Sequence, residues 1–173
     1  TSAPQNALDQ GLRVERTMQR LDSRGKPMGT PLPTGNETIT LESGQLVKVT
    51  LRLSSPTSRT YVVVDDPLPA GLEPVNEAFM TSDQGMLETA DTGSGRWWGS
   101  FTHTEMQDDR VLLFADYLEP GEHTYSYVAR ATTAGTFEHP PAEAEMMYRP
   151  ETRGHTATGT VVVEPSAGPT AAE

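Results

Sequence analysis

The stretch Tyr61-Val-Val-Val-Asp-Asp-Pro-Leu-Pro-Ala-Gly-Leu-Glu-Pro-Val-Asn76 decides the reading of this chain. Tyr61 to Val64 is an aromatic and β-branched run, the composition of a buried strand. Asp65-Asp66-Pro67 is expected to end that strand in a turn. Pro67 brings no N–H to a ladder, and it biases Asp66 towards an extended or turn conformation. Pro69, Gly71 and Pro74 punctuate the residues beyond it, so the strand leads into a stiff, irregular loop.

Working outward, the same grammar recurs. Val47, Val49, Leu51 and Leu53 alternate with Lys48, Thr50 and Arg52, which describes a strand with one buried and one wet face. Tyr125, Tyr127, Ala129 and Ala131 form a second such stripe, opposite Thr124, Ser126, Val128 and Arg130. Leu12 and Val14 begin an earlier strand, while Arg110 to Ala115 and Thr158 to Glu164 read as later ones. Trp97 to His103 and Gly135 to Phe137 add two more, and Pro140-Pro141 ends the latter. Turns are expected at Ser23 to Gly29, Thr34 to Glu37, Ser54 to Ser58 and Leu118 to Glu122. Residues 78–89 have no clean period and leave room for one short helix. Short strands with a turn roughly every ten residues predict an all-β, antiparallel β-sandwich with at most one or two short helices. Its expected core includes Val49, Leu51, Val63, Leu113, Phe114 or Ala115, Tyr127 and Val162. A flexible segment over 1–10, a sandwich domain over 11–164 and a disordered tail over 165–173 complete the expected organisation.

Composition excludes several functions. With 24 acidic against 13 basic side chains and a net charge of -11, the surface repels phosphate backbones. Nucleic acid is therefore not an expected partner, and anionic membrane surfaces are disfavoured. The absence of cysteine removes disulfides, thiol catalysis and thiolate metal sites. No apolar run approaches the length of a membrane span.

Candidate sites are few. His103, His123, His139 and His155 lack the close spacing of a zinc motif, so no metal or other cofactor is expected. His103 with Glu105, Asp108 and Asp109 reads as a solvated loop rather than a cation site. Asp65 and Asp66 are adjacent, would point apart in a strand, and read as turn residues rather than an acid/base pair. No Gly-x-Ser-x-Gly elbow is present, and Gly93-Ser-Gly95 lacks the lysine and helix of a phosphate loop, so no enzymatic activity is expected. Trp97 and Trp98 would face opposite sides of a strand. The outward ring is either a contact residue or a cover beneath a loop. Met146-Met147-Tyr148 suits a recognition surface as well as a core.

The opening stretch resembles the C-terminal macroglobulin-like domain of bacterial alpha-2-macroglobulins. Further segments in order carry the same resemblance: Asp108-Asp109-Arg110-Val111, Phe114-Ala-Asp-Tyr117, Pro120-Gly-Glu-His-Thr-Tyr-Ser-Tyr127, Arg130-Ala-Thr132, Gly135-Thr-Phe137, Pro140-Pro141-Ala142 and Met147-Tyr148-Arg149-Pro150-Glu151. They run from about Leu12 to Val163. The resemblance implies one non-enzymatic domain of a broad-spectrum endopeptidase inhibitor. Its partners would be the thioester-bearing and other macroglobulin domains of the same parent and, through the parent, attacking proteases. It implies that Met147 and Tyr148 cover the thioester, with Arg149 anchoring the segment, and a role in bacterial defence. A periplasmic or cell-surface location would follow, with any export signal and lipid anchor upstream. The competing reading is a stand-alone carbohydrate or adhesion module built on Trp97 or Trp98.

Overall fold

The computed structural model describes residues 5–35, 37–75 and 101–166. Strands β1 (Leu8–Gln10), β2 (Arg13–Leu21), β3 (Pro27–Pro33), β4 (Thr38–Glu42), β5 (Leu46–Ser55), β6 (Arg59–Pro67) and β7 (Leu72–Pro74) make up the first half. The second half holds β8 (His103–Gln107), β9 (Arg110–Leu118), β10 (Gly121–Ala131), β11 (Gly135–His139), β12 (Glu143–Met146), β13 (Arg149–His155) and β14 (Gly159–Glu164). No helix occurs among the described residues. Residues 78–89, Trp97 and Trp98 lie outside them.

The fold is the all-β sandwich that the alternation predicts. One sheet runs β1-β13-β12-β6-β9-β8 and the other β3-β2-β5-β10-β7. A third, small sheet runs β11-β14-β4 and contains a parallel pairing, β14 with β4. Val47, Val49, Leu51 and Leu53 of β5 all face inward, as do Tyr127, Ala129 and Ala131 of β10. Val62 and Val64 of β6 with Val111, Leu113 and Ala115 of β9 supply the opposing face. Every other residue removes apolar surface from water, at about 25 cal/mol per Å², and this period-two stripe holds the layers together.

Three expectations need correction. Val63 and Val162 are only half-buried, and the core positions are their neighbours Val62, Val64, Val161 and Val163. The strand begun at Tyr61 does not stop at Asp65 but continues to Pro67, pairing with β9 as far as Pro67↔Arg110. Pro67 is tolerated because it is the last residue of its strand, where the missing N–H interrupts little. Finally, Leu8–Gln10, placed in the flexible segment, pairs antiparallel with β13. Gly154 lets the chain come this close, since a Cβ there would overlap the Leu12 carbonyl oxygen.

Candidate functional site

Strand β12 lies between β6 and β13, and Met147 and Tyr148 are the two residues that join β12 to β13. Ala144 and Met146 point into the core, with Met146 8% exposed. The chain then reverses, and the next two apolar side chains enter solvent: Met147 is 51% and Tyr148 75% exposed. Arg149, Pro150 and Glu151 are exposed as well. A two-residue hairpin usually takes a primed turn with positive φ. Here neither tip residue does so, because Tyr61 is the only described non-glycine residue with positive φ. The strands accommodate this by a register shift, from Glu145↔Arg153 to Met146↔Arg149, which leaves Pro150 to Thr152 as extra residues on β13. Pro150 fits such an irregular stretch because it has no N–H to give a ladder.

Beneath this tip sits Tyr61, with φ of 53°. The β6–β9 pairing steps from Thr60↔Tyr117 to Val62↔Ala115 and skips Tyr61. Its carbonyl accepts the Met147 N–H at 2.8 Å, one step beyond the β12–β6 pair Met146↔Val62. The Tyr61 and Tyr148 rings meet edge to face, 5.3 Å apart at an interplanar angle of 87°, the geometry that aromatic quadrupoles favour. Tyr61 is itself 49% exposed. Two tyrosines and a methionine thus form a continuous apolar corner that packing of this domain does not consume.

At the other end of β6 is the second notable constellation. Asp66 has no exposed surface. Its carboxylate accepts a short ionic hydrogen bond from Arg16 Nη1 and another from the Tyr127 hydroxyl at 2.6 Å. Arg16 also donates from Nε to Thr34 Oγ1 at 2.8 Å and from Nη2 to the Pro140 carbonyl at 2.7 Å. Asp66 belongs to one large sheet, and Arg16 and Tyr127 to the other, so this node pins the layers across the core. Burial, reinforced by the adjacent carboxylate of Asp66, pushes the Tyr127 phenol well above its ordinary range. Nearby, burial and then the Arg16 charge hold His139 well below the usual imidazole range.

The two aspartates read as turn residues therefore part company. Asp66 is the buried anchor, whereas Asp65 faces Arg110, 3.1 Å away, at the surface. Burial, more than the Arg110 charge can offset, raises the Asp65 carboxyl. His103 lies 3.3 Å from Glu105 on an exposed strand. Among the described residues no three His, Asp or Glu side chains are grouped to hold a metal ion. No described helix is long and apolar enough to cross a membrane.

Comparison with known proteins settles the family. The family description "Bacterial Alpha-2-macroglobulin MG10 domain" matches residues 11–151. The chain belongs to this family. An alpha-2-macroglobulin homolog of Nostoc sp. is 33% identical over 154 residues, covering 89% of this chain and 8% of its own length. The alpha-2-macroglobulin of Escherichia coli is 32% identical over 160 residues, covering 81% of this chain and 10% of that protein. The crystal structure of the trypsin-activated Escherichia coli alpha-2-macroglobulin superposes with a TM-score of 0.74 at 29% identity, over 95% of this chain and 11% of that one. A Salmonella alpha-2-macroglobulin reacted with methylamine gives 0.68 at 27% identity, again over 95% of this chain. This macroglobulin-like domain thus spans about a tenth of the length of the relatives it matches.

Sequence reasoning missed Tyr61 and the Arg16 node. Arg16 had left a signal: it shares the inward phase of Leu12, Val14 and Met18, so a buried arginine needed a buried carboxylate. Tyr61 left none, because a tyrosine in a valine run gives no warning of a left-handed backbone.

Proposed function

We propose that this chain is the MG10-type domain of a bacterial endopeptidase inhibitor and that its Met147–Tyr148 turn shields a thioester on another domain. The observation that carries the reading is the exposed apolar tip, since folding of this domain leaves Met147 and Tyr148 in water. Having no cysteine, the chain cannot supply the thioester's own sulfur. A thioester is an activated acyl group. Water attacking its carbonyl releases the cysteine thiol and leaves a carboxylic acid, and an amine does the same to give an amide. A phenol ring and a thioether laid over the bond keep out water and offer no nucleophile as reactive as an amine. Arg149, at the exposed start of β13, would anchor the turn through a carboxylate of the neighbouring domain.

In this reading the domain has no active site of its own. A protease cuts elsewhere in the parent, the lid moves away, and the uncovered thioester captures the protease. The parent acts outside the cytoplasm, in the periplasm or at the cell surface. The alternative carbohydrate or adhesion module would rest on Trp97 or Trp98, which lie outside the described residues. The test uses the full-length parent with Tyr148→Ala. Thiol appearance before any protease is added should accelerate, and an unchanged rate would overturn the reading.

A further inference from the structure

Resting on that reading of Met147 and Tyr148, we infer that Tyr61 is the positioning residue that presents them. Three features converge on it. Its backbone adopts a φ of 53°, which costs a non-glycine residue free energy and persists only where the surroundings impose it. Tyr61 is left out of the β6–β9 pairing, and its carbonyl accepts the Met147 N–H, 2.8 Å away, one step beyond the β12–β6 pair Met146↔Val62. Its ring then abuts Tyr148 edge on, with centroids 5.3 Å apart.

Each feature serves the tip rather than the core. An extended residue at position 61 would complete the ladder on the outward face that Val63 shares, since its neighbour Val62 points into the core. The observed residue leaves its own side chain half in water and contacts the exposed Met147–Tyr148 turn. An exposed tyrosine has two side-chain torsions to fix before it can match a partner surface. A ring already held edge on loses less freedom on docking. Tyr61 thus narrows the orientations of Tyr148 before the neighbouring domain arrives, and the carbonyl bond fixes the backbone that carries it.

The test replaces Tyr61 by Asn and, separately, by Gly, both of which accept a left-handed backbone, and by Phe, which retains the ring edge. In the 173-residue chain, the aromatic proton shifts of Tyr148 report the ring contact. They should move towards free-tyrosine values in Tyr61→Asn and Tyr61→Gly and stay in place in Tyr61→Phe. In the full-length parent, thiol release before protease addition should rise about two- to tenfold in the Asn and Gly variants, the factor an edge-on aromatic contact carries. Tyr61→Phe should restore the native rate. Acceleration by Tyr148→Ala without acceleration by either Tyr61 variant would overturn the positioning role and leave the lid. No acceleration by Tyr148→Ala would remove the lid and this role with it. Unshifted Tyr148 protons in both Asn and Gly variants would overturn the role whatever the rates.

Discussion

One strand, β6, ends in two opposite solutions to placing polar and apolar groups. At Asp66 a charge is taken wholly out of water and surrounded by donors from Arg16 and Tyr127. At Tyr61, five residues earlier, an aromatic ring is left in water beside Met147 and Tyr148. The first arrangement costs desolvation and returns it only through geometry that must be complete. The second forgoes burial that would have stabilised the domain. On the proposed reading, the buried node serves the fold and the exposed corner serves a partner outside it. Substitutions at the two ends should therefore separate stability from activity.

The largest effect is expected at Asp66→Ala. It leaves the Arg16 guanidinium buried without its counter-charge, and chemical denaturation should show a loss of about 3–5 kcal/mol. A loss below about 1 kcal/mol would mean that water reaches the node. Tyr127→Phe keeps the ring and removes one donor to a carboxylate, so the same measurement should give about 1.5–3 kcal/mol.

The next effect depends on pH. The unfolded chain protonates His139 below about 6.5, whereas in the folded chain burial and Arg16 hold its pKa well below that. The unfolded state then binds the extra proton, so this contribution to stability is complete above about pH 6.5 and is lost as the pH falls. The slope from this residue approaches about 1.4 kcal/mol per pH unit. Denaturation midpoints between pH 7.5 and 5.5 should fall for the native chain, and the fall should be shallower in His139→Asn. Equal slopes for both would show that His139 titrates as it does when unfolded.

How much of this was legible in the sequence differs between the two ends for physical reasons. The β5 stripe was readable because Lys48, Thr50 and Arg52 mark its wet face. Val63 and Val162 were misplaced because each is the centre of a Val-Val-Val run, in which the side chains themselves carry no phase. Glu164 could have set the phase of the later run, since it is exposed and shares the face of Val162. In the earlier run the flank gives no phase, because Asp65 shares the face of Val63 and Asp66 that of Val62 and Val64, and residue type does not say which of two adjacent aspartates is buried. One buried ion pair thus hid the phase of a strand. The Met147–Tyr148 turn was found through its family resemblance, since hydropathy alone would have placed both residues in a core. The contribution of Tyr61 depends on a backbone angle that no residue type in the segment advertises.

The smallest effect on stability is expected at Tyr148→Ala, no more than the roughly 0.5–1.5 kcal/mol of its edge-on contact with Tyr61, because the side chain otherwise stands mostly in water. That variant also tests the central claim most directly when thiol release by the unprovoked full-length parent is followed in a solution of a small amine. The account predicts a faster release from Tyr148→Ala whose domain remains fully folded. Native-like release from a fully folded variant would contradict it.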